Sequence, residues 1–369
     1  MSLTADILDR FVEICNYNNK EDDGDVRDLD CLKIAEIKPD AFKNCRHRKI
    51  RSLRLRYYNS WANKTTYFTE KHSSLFKPLK EHLEELSLEC SLKCCEFNFL
   101  EHLSNLRKLS LCGSNFRKGK PVFNGANNQL VHLDLSNCEL KISDKTVFND
   151  LKSLKHLDLS KVELDANVMP ELFSELKQLD TLTMNGTKLT LVKDAFIHLE
   201  NLKELHLEEI EISNECSNIF APLKSLQKLV IGETPTFNYD ALKQVKNLRQ
   251  LKLSRFKTIE VGEKFFDNNH DLESLDVFEL YLFGKNLDTN ENCKCETYCI
   301  DLKALANLTA LKSLNLRDNN LKFDDQEDSE TIFSMENLES LDLSLCDRKN
   351  FIKRELKLNE TTVNYAVNG

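Results

Sequence analysis

Two stretches one repeat apart, LVHLDLSNCEL at 130–140 and LKHLDLSKVEL at 154–164, decide the architecture. In both, Leu alternates with polar residues at the period of a half-buried strand. The kernel L-x-x-L-x-L recurs in both directions from here. It is found at Ile50, Leu83, Leu106, Leu130, Leu154, Leu179, Leu202, Leu226, Leu248, Leu272, Leu311 and Leu338. From Leu83 to Leu272 the copies follow one another at spacings of 22 to 25 residues. Chance does not hold such a register over nine copies, and a period of this length marks a repeat architecture.

Upstream of the strands sits a short apolar pair, as in Phe148/Leu151, Phe173/Leu176, Phe196/Leu199, Phe220/Leu223 and Phe333/Leu338. These pairs predict a helical or irregular return segment packed on the back of the strand. One repeat cannot bury its own apolar face, whereas a stack of repeats buries a continuous core. The pattern resembles the leucine-rich-repeat family over roughly residues 50–346. The resemblance implies an α/β solenoid of about twelve repeats, a right-handed curved horseshoe with a parallel concave sheet and a helical or irregular convex side.

The family also asks for Asn or Cys three residues beyond the last Leu. Here Ser114, Cys138, Val162, Thr187, Ile210, Asn319 and Cys346 occupy that place, a mixture that leans towards intracellular family types. Cys138 and Cys346 then read as small buried residues rather than as reactive groups.

The spacing breaks twice. The gap from Ile50 to Leu83 carries YYNSWANKTTYF at 57–68, and the gap from Leu272 to Leu311 carries an insertion near 279–304. Insertions in a solenoid leave as loops, and loops on such scaffolds often bind. Residues 1–49 read as an N-terminal helical cap and 347–369 as a C-terminal cap or tail, because an open end of the stack would expose Leu and Phe.

Composition narrows the function classes. The chain has 369 residues, a net charge of −9, and acidic residues spread along its length. No basic stripe is present, so the expectation is no nucleic-acid binding and no docking on anionic membranes. No apolar run approaches the roughly 18 to 20 residues that span a bilayer, and the N-terminal residues lack the basic start of a secretory signal. Thirteen cysteines, an odd number, argue against a disulfide framework. A cytoplasmic or nuclear monomer is the expectation.

Candidate chemistry is sparse. His132 and Asp134 lie on one strand, His156 and Asp158 on the next, and these types can bind a metal or act as acid and base. The same residues are also just the polar slots of two ordinary repeats, forming a hydrogen-bonding patch. Cys293, Cys295 and Cys299 form C-x-C-x3-C without an identifiable fourth ligand. No phosphate-binding, serine-hydrolase or zinc-protease motif occurs, so the reading is a non-enzyme with no cofactor and no metal.

What remains is the exposed face of the sheet. The candidate partner-binding residues are His132, Asp134, His156, Asp158, Asp180, Thr183, Glu204, His206, Glu208, Lys252, Asp276, Phe278, Asn315 and Arg317. The acids and histidines of the middle zone would accept Lys or Arg from a protein partner. Phe278 and Arg317 are of the types enriched at interface hot spots. Being exposed, Asp134 and Asp158 are expected to tolerate charge reversal at a cost of about 0.5 kcal/mol or less.

The leading reading is therefore a protein–protein interaction scaffold. A second reading starts from Leu8, Phe11, Ile14 and Cys15, which share one face of a candidate adaptor-binding helix. The Phe11–Cys15 spacing and the segment at 31–55 resemble the zyg/zer-type substrate receptors of elongin–cullin ubiquitin ligases. That resemblance implies elongin and cullin partners, while the armadillo-like domain of those receptors is lacking. A third reading, an extracellular innate-immunity-type recognition protein, rests on the style of DAFIHLENLKELHL at 194–207.

Overall fold

The computed structural model describes residues 25–30, 42, 50–56, most of 67–346 and 362–364; the larger stretches outside it are 1–24, 31–41, 43–49, 57–66, 93–99, 117–122, 124–128, 257–263, 279–299, 323–334, 347–361 and 365–369. The candidate helix residues Leu8, Phe11, Ile14 and Cys15, the cysteines of the 279–299 insertion and Phe333 lie outside the described residues. Two compact units divide the chain, Met1–Leu189 with Phe196–Leu199, and Thr190–Ala195 with Glu200–Gly369.

In the first unit the strands Asp25–Asp30, Ile50–Arg56, Glu85–Glu89, Lys108–Ser110, His132–Asp134, His156–Asp158 and Thr181–Thr183 pair in chain order, each parallel to the next. The second unit repeats the arrangement with Glu204–Glu208, Lys228–Gly232, Gln250–Ser254, Ser274–Phe278, Ser313–Asn315, Ser340–Asp342 and Thr362–Asn364. Parallel neighbours require a crossover between them, and the residues between strands supply it. The expected repeats at 50–346 are all present. Asp25–Asp30 and Thr362–Asn364 add one strand at each end, inside stretches expected to be caps only. A further strand satisfies the edge's N–H and C=O groups, which a helix laid over the end would leave unpaired.

Register follows from the alternation. Leu86, Leu109, Leu133, Leu157 and Leu182 stand opposite one another across the first sheet. Leu205, Leu229, Leu251, Leu275, Leu314 and Leu341 do so across the second. Both rows point inward and are essentially inaccessible to solvent, as are the last Leu of each kernel and the aromatic and aliphatic pairs behind them. Phe148, Phe173, Phe196 and Phe220 are each at most 1% exposed, which confirms the return segments as the far wall of the core. Those segments are short 3₁₀ turns, at Glu70–Leu79, Ala166–Val168, Tyr239–Gln244 and Leu302–Leu305, with one single-turn α-helix, Met169–Leu172. So little chain separates consecutive strands that longer helices have no room.

The three-beyond-Leu position builds a ladder between repeats. Ser114 Oγ donates to Leu88 O at 3.0 Å, Cys138 Sγ to Leu111 O at 3.1 Å and Cys346 Sγ to Leu316 O at 3.0 Å. Asn319 Nδ2 reaches both Leu316 O and Val277 O, whereas Thr187 bonds within its own repeat, to Met184 O. Each reach to an earlier repeat pins a turn to its predecessor. The mixed residue types are interchangeable because a hydroxyl, thiol or amide donor suffices, and Val162 and Ile210 simply fill the space.

Candidate functional site

The turn that ends each strand shapes the exposed face. Two residues past the last kernel Leu the backbone turns left-handed, at Gly113, Asn137, Lys161, Gly186, Glu209, Glu233, Arg255 and Asp318, with φ between 51 and 72°. Most side chains resist this conformation, which favours Gly and Asn. It was legible in Gly113, Asn137 and Gly186, but Lys161, Glu233 and Arg255 obscured it.

Where the strand is three residues long, its final polar residue caps this turn. Asp134 Oδ1 accepts from Ser136 N at 2.9 Å, Asp158 Oδ1 from Ser160 N at 2.8 Å, Asn315 Oδ1 from Arg317 N at 2.9 Å and Asp342 Oδ1 from Ser344 N at 2.9 Å. Asp134 is further committed by Ser110 Oγ, which donates to Oδ2 at 2.8 Å. The expectation that Asp134 and Asp158 are free for charge reversal is thereby corrected. They hold the strand ends, and a lysine in their place would lose the acceptor.

Beside the carboxylates, the imidazoles of His132 and His156 stack face to face, centroids 4.0 Å apart and planes 3° from parallel. Ring-nitrogen lone pairs lie in the ring planes. Those of two parallel rings run side by side and do not converge on one ion at about 2.1 Å. The pair therefore makes a surface and no chelate. Among the described residues no group of three or more His, Cys, Asp and Glu is arranged to hold a metal. Burial lowers the pKa of His132, and His156 and Lys108 add to the effect against Glu85. Asp180, expected among the acceptors of the exposed face, lies just before the strand, where Thr181 stands opposite His156. Thr183 closes the row in register with Asp158.

In the second unit the strands from Glu204–Glu208 to Ser274–Phe278 run five residues, and the face there differs. His206, Val230, Lys252, Asp276, Asn315 and Asp342 stand in one row. Lys252 Nζ reaches Glu208 Oε1 at 3.2 Å, although the two residues lie two strands apart. Neighbouring strands are about 4.8 Å apart, so this ion pair arches over the strand between them. Beneath it Val230 is 6% exposed and Gly232 is buried, although both belong to rows expected to be open. A Cβ on Gly232 would come within 2.4 Å of Ser254 Oγ and 3.1 Å of Ser254 O, so the close neighbouring strand favours glycine here, while Glu208 Cγ at 3.5 Å would be in ordinary contact. The same Lys252 Nζ lies 5.1 Å from the centre of the Phe278 ring. Glu204 holds Lys228 at 3.5 Å and His206 at 3.7 Å. Burial, followed by Lys228, lowers the His206 pKa against the pull of Glu204 and Glu208. Arg317 is exposed two residues past Asn315, in the turn beyond the strand rather than in register with Phe278.

Sequence reasoning missed a second ladder, on the approach to the strands. Asn105, Asn247 and Asn337 each stand just before a kernel and donate Nδ2 to a carbonyl of the preceding repeat, Glu81, Lys224 and Thr309 respectively. The recurrence of Asn-Leu at the kernel start was the available signal.

Residues 128–189 match the model of the leucine-rich-repeat family, a stretch that holds the last three strands of the first unit. A relative found by sequence is an adenylate cyclase of Schizosaccharomyces pombe, 24% identical over 307 residues, which are 80% of this chain and 16% of that protein. The chain thus spans about a sixth of the relative's length. Among solved structures, an internalin of Listeria monocytogenes superposes with a TM-score of 0.59 at 18% identity, covering 93% of this chain and 86% of that one. The structure of the Drosophila Toll–Spätzle complex gives 0.61 at 17% identity, covering 87% of this chain and 42% of that one. These likenesses show the fold: it is the leucine-rich-repeat solenoid.

Proposed function

We propose that the chain is a non-catalytic recognition module that binds a protein partner through the exposed face of its sheet. One observation carries the reading. The inward Leu of the repeat strands is spent on the core, while outward residues stand at regular spacing, His132, His156 and Thr183 in the first unit and Glu208, Lys252 and Phe278 in the second. Outward side chains at fixed spacing are how stacked repeats present an extended binding surface. In favour of a non-catalytic role, the carboxylates that catalysis would use at Asp134 and Asp158 accept backbone N–H groups instead. The cyclase resemblance covers too little of that protein to bring its activity here. The thiol donors Cys138 and Cys346 need reduced sulfur, which favours a cytosolic or nuclear setting.

A photo-crosslinking amino acid placed at Thr183 or Ser274 on the sheet face, and at Lys145 or Lys177 on the outer side, tests the reading in cells. A discrete protein adduct from the face positions alone supports it. Equal labelling from both sides contradicts it.

The substrate-receptor reading rests on Leu8, Phe11, Ile14 and Cys15. Its test is recovery of elongin and cullin subunits with the wild type and their loss with Phe11→Ala/Cys15→Ala.

A further inference from the structure

Among the described residues two shielded side-chain oxygens lack a hydrogen-bond partner, Oδ1 of Asn149 and Oδ1 of Asp276. An orphaned carboxylate oxygen is the costlier of the two. Asp276 is also not in the core. It stands in the outward row of the Ser274–Phe278 strand, between Lys252 and Asn315.

Its neighbours explain why it lacks a donor. Asp134, Asp158, Asn315 and Asp342 end three-residue strands, and the turn that follows brings them the N–H two residues on. The Ser274–Phe278 strand continues two residues past Asp276, with Phe278 in register with Ser254, so no turn N–H comes back to the carboxylate. The groups beside it do not compensate. Burial raises the pKa of Asp276 and Asp342 adds to this, against the pull of Lys252 and a hydrogen bond from Asn315. Lys252 is itself engaged by Glu208 and lies against the Phe278 ring. Oδ1 is thus left with an acceptor site that none of these neighbours fills.

We propose that Asp276, with Phe278 beside it, receives an arginine side chain presented by the protein partner. The proposal rests on the sheet face being the binding surface and names the chemistry of one contact on it. A guanidinium can bond the carboxylate with its planar fork and lie along an aromatic ring at the same time, which an ammonium does less well. Lys252, opposite Asp276 on the neighbouring strand, has a long side chain a third exposed, which can move to admit the guanidinium. Lys252 stands beside the site and repels a polybasic run, so the class of ligand is a lone arginine among neutral or acidic residues.

The test uses the full chain and an immobilised library of nonapeptides, randomised except for a central Arg, Lys, citrulline or Leu. The wild type should enrich central-Arg peptides over citrulline and Leu peptides, and Asp276→Asn should weaken them at least tenfold. Glu175→Gln, which removes a carboxylate elsewhere, should leave them bound. Asp276→Asn should also raise the melting temperature, because it removes the charge from a half-buried carboxylate whose Oδ1 has no hydrogen-bond partner. The proposal is overturned if no Arg-dependent peptide is enriched, if the Arg preference survives Asp276→Asn, or if that variant melts lower. Binding to the face without any Arg preference would sink this contact and keep the sheet-face reading, whereas equal crosslinking from both sides would sink both.

Discussion

Cys138 shows what one position can settle. Its thiol donates to Leu111 O, and burial pushes its pKa up to about 12, so the proton stays on sulfur under ordinary conditions. Iodoacetamide at pH 8 should therefore leave Cys138 unmodified in the native protein and label it after unfolding, as read by peptide mass spectrometry. Cys138→Ser should keep the ladder, since Ser114 makes the same bond one repeat earlier. Cys138→Val should cost about 0.5–1.5 kcal/mol in chemical denaturation, the net value of one hydrogen bond. The left-handed turn positions predict an opposite pair. Lys161, at φ 60°, carries strain that Lys161→Gly relieves, for a gain of about 0.5–1 kcal/mol. Gly113→Ala, at φ 72°, should lose about 1 kcal/mol. Cys138 was legible from its place in the repeat. The strain at Lys161 was not, because its side chain gives no hint of the turn that neighbouring repeats impose.

A strand of three residues and its turn behave as one element. Asp134→Asn keeps an acceptor for Ser136 N and should stay near wild-type stability. Asp134→Ala loses an acceptor held by two donors and should cost roughly 1–3 kcal/mol. That difference separates a structural carboxylate from a merely exposed one, since an exposed aspartate would tolerate both substitutions equally. On the inward side of the neighbouring strand Leu157 is 2% exposed, and Leu157→Ala should cost about 2–5 kcal/mol by leaving a cavity. No measurable loss there would contradict the core register. The strand positions were readable in advance, because Leu alternation reports which side faces the core. The capping role of Asp134 was not, because an outward aspartate looks the same whether or not a backbone N–H bends back to it.

Across the whole molecule, two histidines carry a shared pH signature. His132 and His206 are both held below the ordinary histidine pKa, chiefly by burial. A lowered folded-state value means that the unfolded chain binds these protons first as the pH falls. Their contribution to stability is thus fully present above the unfolded value of about 6.5 and is lost as the pH drops towards the folded values. Urea midpoints should fall between pH 7.5 and pH 5.5, a window above the range of ordinary carboxylates. The double variant His132→Gln/His206→Gln should show a flatter profile. An unchanged slope would show that other groups set the acid response.

The sequence by itself determined the stack of parallel strands, the inward Leu rows and the Phe wall behind them. Hydrophobic burial is non-directional and was written into every repeat at a spacing of 22 to 25 residues, so alternation and period were enough to read it. The tertiary structure alone decided which outward groups are already spent: Asp134 on Ser110 and its own turn, His132 on His156, Lys252 on Glu208 across Gly232. The inter-repeat contacts among these depend on distances between residues 24 or 44 positions apart, which repetition of a motif does not specify. The same dependence leaves Oδ1 of Asp276 without a donor, because its strand runs two residues longer than those of Asp134, Asp158 and Asp342.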